Sequence, residues 1–341
     1  MLNRTYIAAI SIVSVLFFSP QLFAQTIDIK DAILHHHDEL SNLTVEFDSV
    51  FEGISVTPAE AKLGFKVGII AEKHELFRTR KGYIRYEWHL DPAVIKATTK
   101  NDGIVTTGEV GCFDIDAKRV EGMTVHAPQS HPIGAVRTDI SNFLVDTWMI
   151  DIAFGLRAYN ETDWKIQKLY DQSEIANDHG RCILTYKTNA ETQIWIFDGK
   201  LDYAMVHYEV DFQHSKMEYT CSDFRKVGDT FLPFKIVREV KYSKGKSGGY
   251  DIAQRQTLTL TRAIINDPEN MTDGAFKLVW PKGTEVYDAR IGRDFFVGDH
   301  DRTLSDDDII NIFSKEDQAK KASLEEAQKR IEQATSANPK N

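Results

Sequence analysis

The chain has 341 residues and a formal net charge of −10, and this acidity argues against nucleic acid or anionic lipid surfaces as main partners. Its composition, 42% hydrophobic and 11% aromatic, is sufficient for a large core. The length allows one large or two small domains.

The first 24 residues have the order of a secretory signal. A basic Arg4 is followed by an apolar run from Tyr6 to Phe18 and by the small residue Ala24 at a cleavage position. The run is shorter than the ~20 apolar residues that a membrane-spanning helix needs, and we predict no such segment later in the chain. We therefore expect cleavage after Ala24, export to the periplasm, and a mature net charge of −11, because Arg4 is the only charged residue removed.

An amphipathic helix is predicted from Thr26 to Leu43, because apolar residues recur there near helical spacing. It contains the run His35–His37, in which His35 and Glu39 would share a helix face, as metal ligands can. Three adjacent histidines point in three directions, however, and no HExxH pattern is present. We interpret the run as a polar helix face and predict no metal site.

Beyond residue 43 the hydrophobic period changes to two, which indicates β-strands. One of these segments, Tyr83–Trp88, places Ile84, Tyr86 and Trp88 on one face. Two further strands are predicted between residues 103 and 125. Asp139 then predicts the cap of a helix, whose apolar stripe consists of Phe143, Leu144, Trp148, Ile152 and Leu156.

The second half returns to strands, with short ones at 181–186 and 192–197, a clearly alternating one at 205–212, and a long pair at 230–242 and 256–264. In the third of them Val206, Tyr208, Val210 and Phe212 alternate with polar residues. The dipeptide Asp198-Gly199 marks a turn between neighbouring strands. Serial strands with short connections predict an antiparallel sheet, so the predicted class is mainly β with some α (α+β).

The C-terminal end changes character. Ser305, followed by three aspartates, predicts the start of a short helix, and Ser314-x-x-Asp317 repeats this capping signal. Later residues are mostly charged or alanine, which indicates a solvated helix or a frayed tail. We therefore divide the chain into a signal peptide (1–24), a β-rich domain (25–304) and an exposed or flexible helical tail (305–341).

Three cysteines are too few for a disulfide scaffold. In an oxidising compartment one pair could form, and Cys182 and Cys221 are the better candidates because both lie in predicted strands. Three buried thiols, with Cys112 as the third, are an equally good interpretation.

A series of short motifs begins at one of the first predicted strands. The segment Gly82–Trp88 precedes Asn101-Asp102-Gly103, which precedes Cys112–Val120. This order resembles the periplasmic carriers of the outer-membrane lipoprotein-sorting family, where an F-R-W-E-like strand precedes a D-G turn and a Y-D-P-D-like hairpin. Tyr86 stands where those carriers usually have tryptophan.

The later motifs Ser222–Arg225, Gly228–Pro233 and Pro281–Asp288 are similar to those of longer members of the same superfamily. The resemblance extends over residues 27 to 300. It implies an unclosed antiparallel half-barrel, with helices covering a concave hydrophobic face that accepts acyl chains. The family's strand arginine, which ties the helical lid to the barrel, matches Arg85; a surface or strand-pairing role is the alternative.

Period-two strands also bring aromatic side chains together on the concave face of a curved sheet. Burial of an acyl chain contributes about 0.8 kcal/mol per CH2, so such a cavity binds lipid without special chemistry. Ordinary core packing is the alternative for each aromatic residue. The candidates for the cavity lining are Tyr86, Trp88, Phe113, Tyr208 and Phe212.

We therefore expect a periplasmic carrier that sequesters a lipid or an acylated lipoprotein and exchanges it with an envelope receptor protein. The first alternative is an envelope-stress sensor that binds a protein partner with the same fold, and the second is an envelope hydrolase. The chain has no GxSxG or SxxK motif and no glycine-rich phosphate loop. We predict no enzymatic activity and no cofactor.

Overall fold

The structure is a computed structural model. It describes residues 31–33, 35–36, 40, 42–55, 67–80, 83–91, 105–114, 119–127, 132–137, 154, 171–212, 214–243, 249–266 and 272–336. The predicted signal peptide, the stripe residues from Phe143 to Leu156, the Asn101-Asp102-Gly103 turn and His37 lie outside this part of the chain.

Strands dominate the described residues, as the period-two pattern predicts. The fifteen strands found in this part of the chain all belong to one sheet. In chain order they are β1 (Leu43–Gly53), β2 (Gly68–Arg80), β3 (Tyr83–Leu90), β4 (Val105–Asp114), β5 (Arg119–Ala127), β6 (Ile133–Arg137), β7 (Glu174–Asp178), β8 (Arg181–Lys187), β9 (Glu191–Asp198), β10 (Ala204–Phe212), β11 (Ser215–Val227), β12 (Thr230–Ser243), β13 (Tyr250–Ile265), β14 (Glu285–Asp288) and β15 (Arg293–Phe296). The longest helix in the described residues is α1 (Asp306–Ser336).

The strand order is β15-β14-β6-β5-β4-β3-β2-β1-β13-β12-β11-β10-β9-β8-β7. Two antiparallel meanders, β1 to β6 and β7 to β13, are joined where β1 pairs with β13. The edge strands β15 and β7 do not pair with each other, so the sheet is unclosed. This arrangement is consistent with an open half-barrel.

One strand pair corrects the predicted antiparallel arrangement. β14 pairs with β6 in parallel, with Val286 opposite Gly134, so the sheet is mixed. The chain reaches β14 only after passing through the whole of the second meander. Its direction is therefore set by tertiary packing and not by a short turn, and the alternation of residues does not reveal it.

The sheet has two ends and two faces that we name for later use. The upper end contains Gly53, which pairs with Gly68, and the lower end contains Leu43, which pairs with Ile265. The aromatic face carries Phe47, and the charged face carries its chain neighbour Glu46, because successive side chains alternate between faces.

Each face carries its own hydrophobic cluster. Cluster 1 covers the aromatic face, and its buried strand residues include Val45, Phe47, Phe77, Ile84, Phe113, Leu184, Phe197, Leu232, Ile236 and Leu258. Cluster 2 lies on the charged face at the β14–β15 side, and consists of Cys112, Val136, Leu278, Trp280, Val286, Phe295, Val297, Leu304, Ile309 and Phe313. The adjacent residues Cys112 and Phe113 thus belong to different clusters.

Helix α1 begins at the predicted capping signal. Asp308 N donates to Ser305 Oγ at 3.1 Å, and Ser305 N donates to Asp308 Oδ2 at 2.9 Å, which is a reciprocal cap. The predicted short helix is wrong in length, because α1 continues through Ser314 without a second start and has 31 residues. Ile309 and Phe313 are buried in cluster 2, whereas residues 314–330 are exposed.

The three cysteines are free and buried. Cys182 lies on β8 and Cys221 on β11, so β9 and β10 separate them by about 14 Å at the usual strand spacing. This distance is too long for a disulfide, so of the two interpretations the structure has the buried thiols. Burial raises the pKa of Cys182 to about 11 and that of Cys112 to about 12, which keeps both thiols protonated.

The alternation predicted for β10 is wrong at its first residue. The β9–β10 register shifts between Met205 and His207, so a bulge changes the direction of the side chains. Met205, and not Val206, belongs to cluster 1, whereas Tyr208 and Val210 lie on the aromatic face as predicted.

Candidate functional site

The five predicted cavity residues come together on the aromatic face. Tyr86, Phe113 and Tyr208 are buried members of cluster 1, and Trp88 and Phe212 are partly buried against it. Strands β3, β4 and β10 supply them, so residues about 120 positions apart in the chain share one surface. Their role in ligand binding stays a prediction.

An aromatic stack crosses three neighbouring strands on this face. The ring centroids of Trp195 and Tyr208 are 4.1 Å apart, and those of Tyr208 and Tyr219 are 5.5 Å apart. Burial raises the pKa of both phenols, and for Tyr219 the hydrogen-bonded guanidinium of Arg238 partly opposes the shift. Both tyrosines are therefore neutral at physiological pH.

A band of polar side chains crosses the middle of the aromatic face. We call it the polar row and define it as Tyr219 on β11, Arg238 on β12, Gln256 on β13, Ser49 on β1 and Glu75 on β2. Tyr219 is opposite Arg238 and Arg238 is opposite Gln256 in the strand register. The Gln256 amide donates to Ser49 Oγ at 3.2 Å, and both residues are buried.

The polar row divides the aromatic face into two halves. Towards the lower end the same face of β12 carries Ile236, Phe234 and Leu232, all buried. Towards the upper end the face carries partly buried residues such as Met217 and Val240. The face is therefore amphipathic along the strands, with a dry lower half and a more exposed upper half.

Glu75 is a carboxylate inside cluster 1. Its side chain is buried, and Tyr86 Oη donates a hydrogen bond to its Oε2 at 2.6 Å. Nearby on the same face, Trp88 Nε1 donates to Glu109 Oε2 at 3.1 Å, and the ammonium of Lys73 lies 4.3 Å from the Trp88 ring centroid. The aromatic candidates on β3 are thus held by polar neighbours as well as by packing.

Arg85 lies on the charged face, opposite the five aromatic residues. Its Nε donates to Glu87, and its Nη1 donates to the carbonyl oxygens of Ala275 at 3.3 Å and Lys277 at 3.0 Å. These carbonyls belong to the 3₁₀ helix Asp273–Phe276 and the residue after it. Arg85 therefore ties the segment before β14 to β3, and a lid-locking role stays a prediction.

A cleft of about 260 Å³ on the charged face contains histidine and carboxylate side chains. His74 Nδ1 is 2.5 Å from Asp48 Oδ1, and the His74 and His89 ring centroids are 5.3 Å apart. The Thr261 hydroxyl, which also lines the cleft, donates to the Glu46 carbonyl and is not directed at a histidine. Among the residues that line this cleft, no hydroxyl or thiol is hydrogen-bonded to a histidine, as it would be in a serine or cysteine hydrolase.

The predicted histidine run is only partly described. His35 is exposed, whereas His36 is buried and its Nδ1 has no hydrogen-bond partner among the described residues. Burial lowers the pKa of His36 to about 4, so it is neutral at pH 7. Within the described ranges no group of three or more His, Cys, Asp or Glu side chains is placed to hold a metal ion.

Sequence reasoning missed the polar row, although a signal for it exists. Arg238 stands at the same strand parity as Leu232 and Ile236, and Glu75 at the same parity as Phe77. Because each is a charged residue at a position where the strand alternation predicts an apolar one, Arg238 and Glu75 could have been identified from the sequence. The aromatic residues were conspicuous in the pattern, and the polar residues between them were not.

Comparisons with known proteins give low similarity. No family model and no curated protein matches the chain. Among solved structures, it is similar to a LolA superfamily protein from Nitrosomonas europaea, with 12% identity, a TM-score of 0.37, and coverage of 73% of this chain and 97% of that one. It is also similar to MucB, with 11% identity, a TM-score of 0.26, and coverage of 74% and 64%.

The first of these neighbours belongs to the superfamily that the sequence motifs resemble. At TM-scores under 0.5 the two likenesses carry no further argument about fold, ligand or partner. In the described part of the chain, no helix combines the length and the apolar composition that crossing a bilayer requires.

Proposed function

We propose that this protein is a periplasmic carrier that binds an acyl chain of a lipid or lipoprotein against the lower half of its aromatic face. The observation that carries the proposal is the division of this face by the polar row. An acyl ligand has the same division, with a long apolar part and a polar end. A face used only as a core has no need of a charged row across its centre, because burying charge costs free energy.

Helices would cover this face when no ligand is bound, as the resemblance to the lipoprotein-sorting carriers implies. Ile33 and Phe154 support this, because both are helical residues outside the sheet and both are buried in cluster 1. An acyl chain that replaces such side chains exchanges one apolar contact for another. The exchange is close to neutral in free energy and therefore reversible.

The test uses 9,10-dibromostearate, which quenches tryptophan fluorescence on contact, and stearate as the non-quenching control. Trp88 and Trp195 lie on the aromatic face, so binding there quenches them. The quenching amplitude should fall in Trp195→Phe. Affinity should fall in Phe113→Glu, which places a charge on the lower half of the face, and stay unchanged in Leu324→Glu, whose site is exposed on α1.

Native mass spectrometry of the protein purified from its own envelope, with extraction of any bound lipid, completes the test. Co-purifying acyl ligands that are absent from the folded Phe113→Glu variant would support the carrier. A ligand-free mass together with no quenching by dibromostearate would overturn it.

A protein-binding module is the second candidate, and exposed apolar residues at the upper end favour it. Val67 and Ile69 at the start of β2, and Ile54 after β1, are 64%, 61% and 36% exposed. Apolar residues gathered at one end of a sheet are typical of a contact with another protein. This candidate replaces the carrier if two results are obtained together. The wild-type protein binds an isolated envelope partner but not dibromostearate, and Val67→Glu abolishes the binding of that partner.

A further inference from the structure

Arg238 is a cation on the aromatic face. Its strand β12 also carries Ile236 and Val240 on this face, two positions to either side. Across the neighbouring strands it is opposite Tyr219 and Gln256. All four adjacent positions on this face are therefore uncharged.

The hydrogen bonds of Arg238 are made with weak or neutral acceptors. Its Nε donates to Met217 Sδ at 3.2 Å, and Tyr219, whose phenol donates to the same sulfur at 3.1 Å, lies next to the guanidinium. A thioether sulfur is a weak acceptor, and neither group carries a negative charge. Among the described residues no carboxylate lies within ion-pair distance of Arg238, although its side chain is partly withdrawn from water.

On the opposite face of the same strands, lysine and arginine side chains have carboxylate partners. Lys216 has Glu209 at 2.8 Å and Glu218 at 3.0 Å. Arg255 has Glu239 at 2.7 Å, and Lys241 lies 3.2 Å from the same carboxylate. On the charged face these cations have carboxylate partners, whereas Arg238 on the aromatic face has no carboxylate partner among the described residues. A partly desolvated guanidinium without an anion favours binding of one from outside.

The apolar surface below Arg238 has the dimensions of a long acyl chain. Arg238 is six positions along β12 from Leu232, which at strand rise corresponds to about 20 Å along the face. The residues of β12 that face cluster 1 over this length are Ile236, Phe234 and Leu232. A ligand whose anion lies at Arg238 can therefore extend its chain to the lower end.

We propose that Arg238 binds the anionic head group of the acyl ligand, a carboxylate or a phosphate, and so fixes the ligand with its chain towards the lower end of the sheet. This inference rests on the proposed carrier function and assigns its ligand class. Neutral acyl ligands would bind to the same surface with lower affinity, because they leave the guanidinium uncompensated.

The experiment compares three ligands with the same sixteen-carbon chain: palmitate, palmitoyl lysophosphatidate and the neutral monopalmitoylglycerol. Dissociation constants are measured by isothermal titration calorimetry below the critical micelle concentration. The wild-type protein should bind the better anionic ligand on the order of tenfold more tightly than the neutral one, which is the effect of a charge-assisted hydrogen bond. The comparison of palmitate with lysophosphatidate identifies which anion the site prefers.

Arg238→Gln should remove the preference for the anionic ligand, by lowering the affinity for that ligand without weakening the binding of monopalmitoylglycerol. Arg238→Lys should keep part of the preference. Lys235→Gln is the matched control, because it removes one positive charge from the same strand at an exposed position on the opposite face. It should behave as the wild type does.

The possible results separate this inference from the carrier function itself. Equal affinity for all three ligands in the wild type overturns the head-group site and leaves the carrier intact. A parallel loss of anionic and neutral binding in Arg238→Gln assigns Arg238 a purely structural role and also overturns it. If no ligand binds to the wild type, the proposed function fails and the inference fails with it.

Discussion

The two hydrophobic clusters lie on opposite faces of one sheet and are completed in different ways. Cluster 2 is closed by the chain, since α1 contributes Ile309 and Phe313 to it. Its packing is close: a Cβ added to Gly134 would lie 2.1 Å from a ring carbon of Trp280. Cluster 1 is crossed by the polar row, which includes the buried residues Ser49, Glu75 and Gln256.

The two clusters differ more in whether their arginine side chains have carboxylate partners than in how deeply their residues are buried. At the border of cluster 2, Arg290 pairs with Asp288 and Asp306, and Arg119 pairs with Glu121 and Asp306. In cluster 1 the described residues that neighbour Arg238 on its face are all neutral. The two clusters are therefore both apolar, and the partners of their polar groups distinguish the structural core from the proposed binding surface.

The largest effect is expected when α1 is loosened from cluster 2. Phe313 is buried, packs edge-on against Phe295 with ring centroids 5.5 Å apart, and lies 4.3 Å from the Arg293 guanidinium. Phe313→Ala should lower the free energy of unfolding by about 4 kcal/mol, measured by urea denaturation. Leu324→Ala on the exposed part of α1 should change it by less than about 0.5 kcal/mol. Equal losses in the two variants would contradict a helix anchored only by its first turns.

A smaller loss should follow from overpacking cluster 2. Gly134→Ala should reduce the free energy of unfolding by about 2 to 3 kcal/mol, because the new methyl group must displace the Trp280 ring. Gly274→Ala is the control, since no side-chain or backbone atom comes closer than 4.0 Å to its added Cβ. An unchanged stability of Gly134→Ala would mean that Trp280 is not held in place by its neighbours.

The stability of the protein should depend on pH through the buried His36. The pKa of this histidine is lowered from 6.5 to about 4 in the folded state, mainly by burial. The unfolded state therefore binds more protons between these values, and stability is complete above pH 6.5 and is lost as pH falls towards 4. We expect a loss of about 2 kcal/mol between pH 7 and pH 4.5, measured by thermal or urea denaturation.

His36→Leu should remove this part of the pH dependence, because leucine fills the buried site without titrating. His35→Leu, at the exposed neighbouring position, should keep the wild-type dependence. A pH profile of His36→Leu that is identical to that of the wild type would show that other groups are responsible.

Much of the fold could be predicted from the sequence. Alternation identified the strands around Ile84, Tyr86 and Trp88, and the capping signal at Ser305 gave the start of α1. Both are local patterns, because side-chain direction in a strand and hydrogen bonds at a helix start depend on a few consecutive residues. The aromatic cavity candidates were found in the same way.

The errors have physical causes that no local pattern contains. The bulge at Met205 depends on how β10 pairs with β9, and the parallel direction of β14 depends on the route of the chain around the sheet. Arg238 was overlooked because a lone charge in a strand resembles a solvent-facing residue until its face is known.

The sequence by itself determined that this is a β-rich chain with aromatic residues in phase along its strands. The tertiary structure decided which strands are neighbours, and therefore that Tyr219, Arg238 and Gln256 form one row on the aromatic face. It also decided which cations are paired, because a carboxylate compensates a guanidinium only when the sheet brings the two within a few ångströms. That pairing is a property of strand order, which no single strand encodes.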